Sequence, residues 1–133
     1  MAINEEMKKT ILQWFSKADE DLRAVERLYA DDATFFAGII GFHCQQCIEK
    51  YLKAFIIYKE AQFKKIHDLD MLKKECISID NDFKELNFKN LTDYAIDFRY
   101  LHDDNDPEVG EISYFINVAR QTKSLVRSKI IIE

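Results

Sequence analysis

From Ile11 to Tyr29 the apolar residues fall at Ile11, Phe15, Ala18, Leu22, Val25 and Tyr29, stepping by 4, 3, 4, 3 and 4. That spacing keeps returning to one side of a helix with 3.6 residues per turn and matches neither face of a strand. It predicts an amphipathic first helix over about Asn4–Tyr29, with Trp14 and Leu28 widening its apolar face. Three glycines and one proline in 133 residues leave few places for such a pattern to break. The composition therefore favours long helices over a turn-rich all-β fold. At 47% hydrophobic content the chain can bury a proper core as a single domain, 1–133.

The same pattern continues. Asp31 and Asp32 are expected to turn the chain and cap a second helix, about Ala33–Glu60, whose inner stripe is Ile40, Cys44, Cys47, Tyr51, Ala54, Phe55 and Tyr58. Phe63 to Ile66 reads as a connection. His67-Asp68-Leu69 opens a shorter third helix with Leu69, Leu72, Cys76 and Ile79 inward, and Ser78 to Asp82 reads as a loop. A fourth helix, from Phe83 or Asn87 to Tyr100, would present Leu91, Tyr94, Ala95 and Phe98. Asp106-Pro107-Glu108 is a helix start, with a cap, a proline at the first helical position and a carboxylate at the positive dipole end. It opens a fifth helix to about Ile130, with Val109, Ile112, Phe115, Ala119 and Val126 inward. No segment reads as a convincing strand. The fold class is all-α, an antiparallel up-and-down bundle of four to five helices.

Nineteen basic against 24 acidic residues give a net charge of −5, which argues against the non-specific nucleic-acid affinity of a basic domain. No run of about 18 apolar residues is present to span a membrane, and MAINEEMKKT lacks the apolar core of a secretory signal. Three cysteines, an odd number in helical context, read as reduced thiols of a cytoplasmic protein. Cys44 and Cys47 form a C-x-x-C, but both lie on the core stripe and a structural zinc needs about four ligands, so packing explains them. Asp103-Asp104-Asn105-Asp106 lacks the glycine and distal Glu of a calcium loop and reads as a turn and cap. No Walker loop, dinucleotide-binding glycine pattern or nucleophile elbow is present.

The second helix carries a second line beside its apolar one: Phe36, Ile39, His43, Gln46, Lys50, Lys53 and Ile57, also stepping by 3 and 4. It is apolar at both ends and polar in the middle. One reading is a boundary face where lysine stems cover apolar surface and their heads reach water. The other is an interface or cleft whose centre offers hydrogen-bonding groups and two ammoniums to an anionic ligand or a symmetric partner. Spacing does not choose between them. Lys50, Lys53 and Arg99 are the candidate phosphate-binding residues, with His43, Gln46 and His67 as hydrogen-bond partners and Tyr100 as a stacking or plugging ring. Arg99 at a helix end could equally bind the last carbonyls, and His67-Asp68 could cap the third helix. Glu49 is placed to pair with Lys53 at i,i+4, a contact worth about a few tenths of a kcal/mol on a surface.

Taken together, Trp14, Ala18 and Leu22, then Phe42 to Ala54 (FHCQQCIEKYLKA), then His67-Asp68-Leu69 and Arg99-Tyr100 resemble the HEPN domain family in order and spacing. The specific part is Gln45, Gln46, Glu49, Lys50, Leu52, Lys53 and Ala54. The resemblance implies a short helical bundle, commonly a homodimer, often encoded beside a small nucleotidyltransferase and in some pairs acting as a toxin–antitoxin module. It also implies a nucleotide as the candidate ligand, with no cofactor required. The family's catalytic branch cleaves RNA with an Arg followed four to six residues later by His. Here the only close pair is Arg99 and His102, with two residues between them, which departs from that pattern. A degenerate version would use His102 as general acid/base and Arg99 to hold the phosphate. The leading expectation is a non-catalytic HEPN protein that dimerises and partners a nucleotidyltransferase-type protein. The alternative is a metal-independent ribonuclease using Arg99 and His102, with RNA as partner only in that case.

Overall fold

A computed structural model describes residues 3–61, 68–94 and 108–132, apart from the side chains of 93 and 94. Its four α-helices are α1 (Glu5–Asp32), α2 (Ala37–Tyr58), α3 (Leu69–Ile79) and α4 (Val109–Lys129). Two 3-10 segments, Asn81–Glu85 and Leu91–Tyr94, lie between α3 and α4. There is no strand among the described residues. The chain is an all-helical bundle.

Asn4 starts α1 by accepting the Met7 N–H on its side chain at 2.7 Å, as a good N-cap does. Ile11, Phe15, Ala18, Leu22 and Val25 are buried as the periodicity requires, while Tyr29 ends at the surface with its hydroxyl 3.0 Å from Ser113 Oγ. The first helix runs on past the expected end. Asp31 and Asp32 belong to its last turn, and Asp32 caps the following turn by accepting the Phe35 N–H at 3.0 Å. The second helix consequently begins at Ala37 rather than near Ala33. It stops at Tyr58 because Glu60 adopts a left-handed φ of 56°, which lets Ala61 N–H reach Ile56 O at 3.0 Å. That is the Schellman closure, made here without glycine.

Asp68 caps α3 as expected, accepting from Asp70 N–H at 2.9 Å and Met71 N–H at 3.3 Å. The predicted fourth helix is a correction. Its described part is two short 3-10 turns separated by Leu86–Asn90, which is not helical, with Phe83, Leu86, Phe88 and Leu91 buried. Lys89 at φ 50° breaks any continuous helix there. The expected loop at Ser78 to Asp82 is also mostly helical, since α3 runs to Ile79 and the first 3-10 turn begins at Asn81. In α4, the Glu108 N–H donates to the Glu111 carboxylate at 3.2 Å. Val109, expected inward, is exposed, because it lies in the first turn before the helix meets the core. Tyr94 to Phe98 and the Asp106-Pro107 start, as inward-facing and capping groups, lie outside what the structure describes.

Helix α2 is the axis of the bundle and packs against α1, α3, α4 and the second 3-10 segment. Cys44, Cys47, Tyr51, Ala54 and Phe55 are fully buried, and Phe55 meets Phe83 at a ring separation of 4.5 Å. Helix α1 runs antiparallel to both α2 and α4. On the α4 side Glu26 pairs with Arg120 and Asp19 with Arg127, so the residue numbers fall on one helix as they rise on the other. Lys129 ties the end of α4 to Asp80 at 3.0 Å and to Asp82.

Candidate functional site

Two carboxylates organise the polar line of α2, and one of them comes from another helix. Asp21 lies on the inner side of α1, three residues after Ala18 and next to Leu22. Its Oδ1 stands 2.8 Å from His43 Nδ1, and its Oδ2 accepts the Lys50 ammonium. A carboxylate only accepts, so the imidazole presents Nδ1–H to it. The side chains of Lys50 and Asp21 are 22% and 11% exposed, so the pair is shielded from water and screened less than a surface contact. His43 also packs edge-on to Phe42, with ring centroids 5.2 Å apart.

The second network stays within α2. Glu49 accepts the Lys53 ammonium at 2.9 Å and the Gln45 amide at 2.9 Å, and Gln45 accepts the Gln46 amide at 2.7 Å. Spacing alone predicts the Glu49–Lys53 contact as a surface pair. It is instead buried, with side chains 5% and 8% exposed, because α2 is covered on several sides. Lys53 Nζ also lies 6.0 Å from the centre of the Trp14 ring, at the outer limit for a cation–π contact. Among the described residues no buried side-chain nitrogen or oxygen lacks a hydrogen-bond partner.

A third cluster has no counterpart in the sequence reading. Asp19 accepts from the Tyr51 hydroxyl, from Arg127 at 2.8 Å and from Lys123 at 3.2 Å. Arg127 lies over the Phe15 ring at 4.5 Å and donates to Tyr51 Oη at 3.3 Å. Burial alone would raise the Asp19 pKa. Hydrogen bonds from Tyr51 and Lys123, with the charges of Lys123 and Arg127, outweigh it and hold the carboxyl below its ordinary range. Burial, helped by the hydrogen bond to Asp19, pushes the Tyr51 phenol well up. Asp21 and Asp19 were legible only as carboxylates beside an apolar stripe. A carboxylate three residues after Ala18 was the signal that the inner face of α1 needs a cation opposite it.

The candidate ligand-binding residues thus fall into separate places. His43 and Lys50 meet on Asp21, whereas Gln46 and Lys53 belong to the Gln45/Glu49 network. His67, Arg99, Tyr100 and His102 lie outside the described residues, as does the acidic stretch Asp103 to Asp106. Cys44 and Cys47 are free, buried thiols whose pKa values burial raises strongly. Among the described residues no group of three or more His, Cys, Asp or Glu is placed to hold a metal ion, and no helix is long and apolar enough to cross a membrane.

The sequence model of the HEPN domain matches residues 11–129, from the buried start of the α1 stripe to the last residue of α4. The chain belongs to the HEPN domain family. No curated protein and no solved structure matches it. The α1/α2 pairing that carries Trp14, Asp21, His43, Lys50 and Lys53 is therefore part of this chain's HEPN bundle.

Proposed function

We propose that this HEPN protein works by assembly: it forms a homodimer and partners a nucleotidyltransferase-type protein, without itself catalysing a reaction. The observation that supports this reading is the state of its cations. Lys50 is held by Asp21, Lys53 by Glu49, Arg127 and Lys123 by Asp19, and Arg120 by Glu26. A phosphate-binding cleft presents ammonium or guanidinium groups to the ligand. Here Lys50 joins α2 to α1, Lys123, Arg127 and Arg120 join α4 to α1, and Lys53 is held within α2, so that the polar line serves as an internal clamp. What the protein offers a partner is then the shape and charge of its outer helix faces.

The test is co-expression of the tagged chain with the nucleotidyltransferase encoded by a neighbouring reading frame, followed by measurement of the mass of what co-purifies. Assembly predicts a complex of fixed stoichiometry and, for the chain alone, a dimer. A chain that stays monomeric and retains no such partner overturns the reading.

A second reading places a nucleotide on the same helix. It draws on the partial exposure of Lys50 and His43, which share one carboxylate at the rim of the bundle. A phosphate there takes Lys50 from Asp21, so binding weakens in Lys50→Ala and strengthens in Asp21→Asn. Unchanged affinity in both variants removes that site.

A further inference from the structure

The outer face of α1 is matched to itself. Asp31 and Asp32 stand in the last turn of α1, at the negative end of the helix dipole, and that turn holds no basic residue. This is the unfavourable end for a carboxylate. Asp31 is exposed and makes no ion pair among the described residues. Just beyond it the Phe35 ring, edge-on to Phe36 at 4.9 Å, is 75% exposed, an uncommon state for a phenylalanine. At the other end of α1 a groove of about 370 Å³ is lined by Glu5, Lys8, Lys9, Leu12 and Gln13, and Leu12 is 45% exposed. One end of the helix thus carries an exposed aromatic ring beside acid, and the other an open recess in which Leu12 lies among Lys8, Lys9, Glu5 and Gln13.

Five exposed residues of α1 share one side. At about 100° per residue, Lys9, Leu12, Glu20, Arg23 and Asp31 fall within roughly a third of the helix circumference, and all five are exposed. A second copy laid antiparallel on this face, with a two-fold axis between Glu20 and Arg23, sets Glu20 of each copy against Arg23 of the other. It sets Arg27 against the neutral Ser16. The same register sets the second copy's Asp31 opposite Leu12, one helical turn from Lys9, and brings its Phe35 to the level of Lys8. Every contact occurs twice, as an isologous interface requires. Within α1 the span from Leu12 to Asp32 is about 30 Å at 1.5 Å per residue. Antiparallel packing also brings each misplaced acidic end beside the positive end of the other helix.

We propose that the outer face of α1 is the homodimer interface, with Phe35 seated in the Leu12 groove of a second copy and Asp31 paired with its Lys9. This rests on the dimeric reading given above and names the surface that makes it. The experiment is sedimentation of the full chain, its Lys9→Glu and Asp31→Lys variants, the double variant and an equimolar mixture of the two single variants. Each single reversal places two like-charged contacts in the interface and should raise the dimer dissociation constant by at least about tenfold. The double variant restores opposite charges at both ends and should regain the dimer. The mixture should form heterodimers: at one end the two reversed charges attract each other, and at the other the original Lys9 and Asp31 still meet. Variants that had merely misfolded could not recover on mixing. A wild-type chain that is monomeric throughout overturns the dimeric reading itself. A wild-type dimer that neither reversal weakens, or singles that stay monomeric when mixed, overturns this interface alone.

Discussion

Replacing Lys53 by methionine removes a buried ammonium 2.9 Å from Glu49 and leaves that carboxylate 5% exposed, with the Gln45 amide still donating to it. Breaking a buried pair from one side costs about 3–5 kcal/mol, and the remaining amide donor places this case near the lower end, about 3 kcal/mol. For a domain of this length that lowers the melting midpoint by roughly 10 °C. Glu49→Gln removes the charge that Lys53 pairs with inside α2 and should cost about 2–3 kcal/mol. The double variant Lys53→Met/Glu49→Gln removes both charges while the new amide oxygen still accepts from Gln45. It should lie within about 1 kcal/mol of wild type, since a buried pair and its neutral replacement are close in stability. Urea unfolding of the four proteins, with equal denaturant dependence, yields the coupling energy directly. A coupling of about 2 kcal/mol or more is expected. Additive losses, with the double variant least stable of the four, would show that Lys53 and Glu49 do not act as a pair and would refute the clamp.

Other outcomes follow from the same contacts. The Asp19 carboxyl has a folded-state pKa below its ordinary value, so its contribution is complete above about pH 4 and is lost as pH falls through the lowered value. Asp19→Asn should therefore flatten the acid side of the stability–pH curve, and an unchanged acid slope contradicts the assignment. Tyr51→Phe removes the hydroxyl shared by Asp19 and Arg127 and should cost about 1–3 kcal/mol in denaturant unfolding; a neutral result would mean the hydroxyl carries no net energy. Burial raises all three thiols, Cys76 to about 12. A thiol reagent at pH 8 should label them only after denaturation, and prompt labelling of the native protein contradicts their burial. Glu60→Gly relieves a left-handed residue at the end of α2 and should stabilise by about 0.5–1 kcal/mol; a loss of stability would locate an unseen role for that side chain.

The helices themselves were legible because apolar periodicity is a local property. The stripes of α1, α2, α3 and α4 fell where Ile11, Tyr51, Leu72 and Phe115 are buried. Boundaries were less so, since Asp32 serves equally as an end-of-helix residue and as a cap, and its choice depends on how tightly α2 turns back. The Leu86–Leu91 stretch misled because buried residues in a 3-10 turn and a non-helical segment mimic helical spacing over a short run. The polar line of α2 could be read as a line but not as a clamp. Its meaning lies in Asp21, which is 22 residues from His43 and 29 from Lys50. The Glu49–Lys53 pair was visible from spacing, whereas its burial required knowing that α2 is the central helix. The family resemblance rested on residues that the fold brings together on α1 and α2.

Whether the cations of α2 are committed within the fold is measured most directly by a thermal-shift series on metal-free protein against ATP, GTP, CTP and UTP, with and without magnesium. A ligand at roughly 100 times its dissociation constant adds about 2.7 kcal/mol, which moves the midpoint by on the order of 8 °C in a domain this size. With Lys50 held by Asp21 and Lys53 by Glu49, the midpoint should stay fixed for all four nucleotides. A shift of several degrees that Lys50→Ala abolishes would contradict that commitment and make the polar line of α2 a phosphate site.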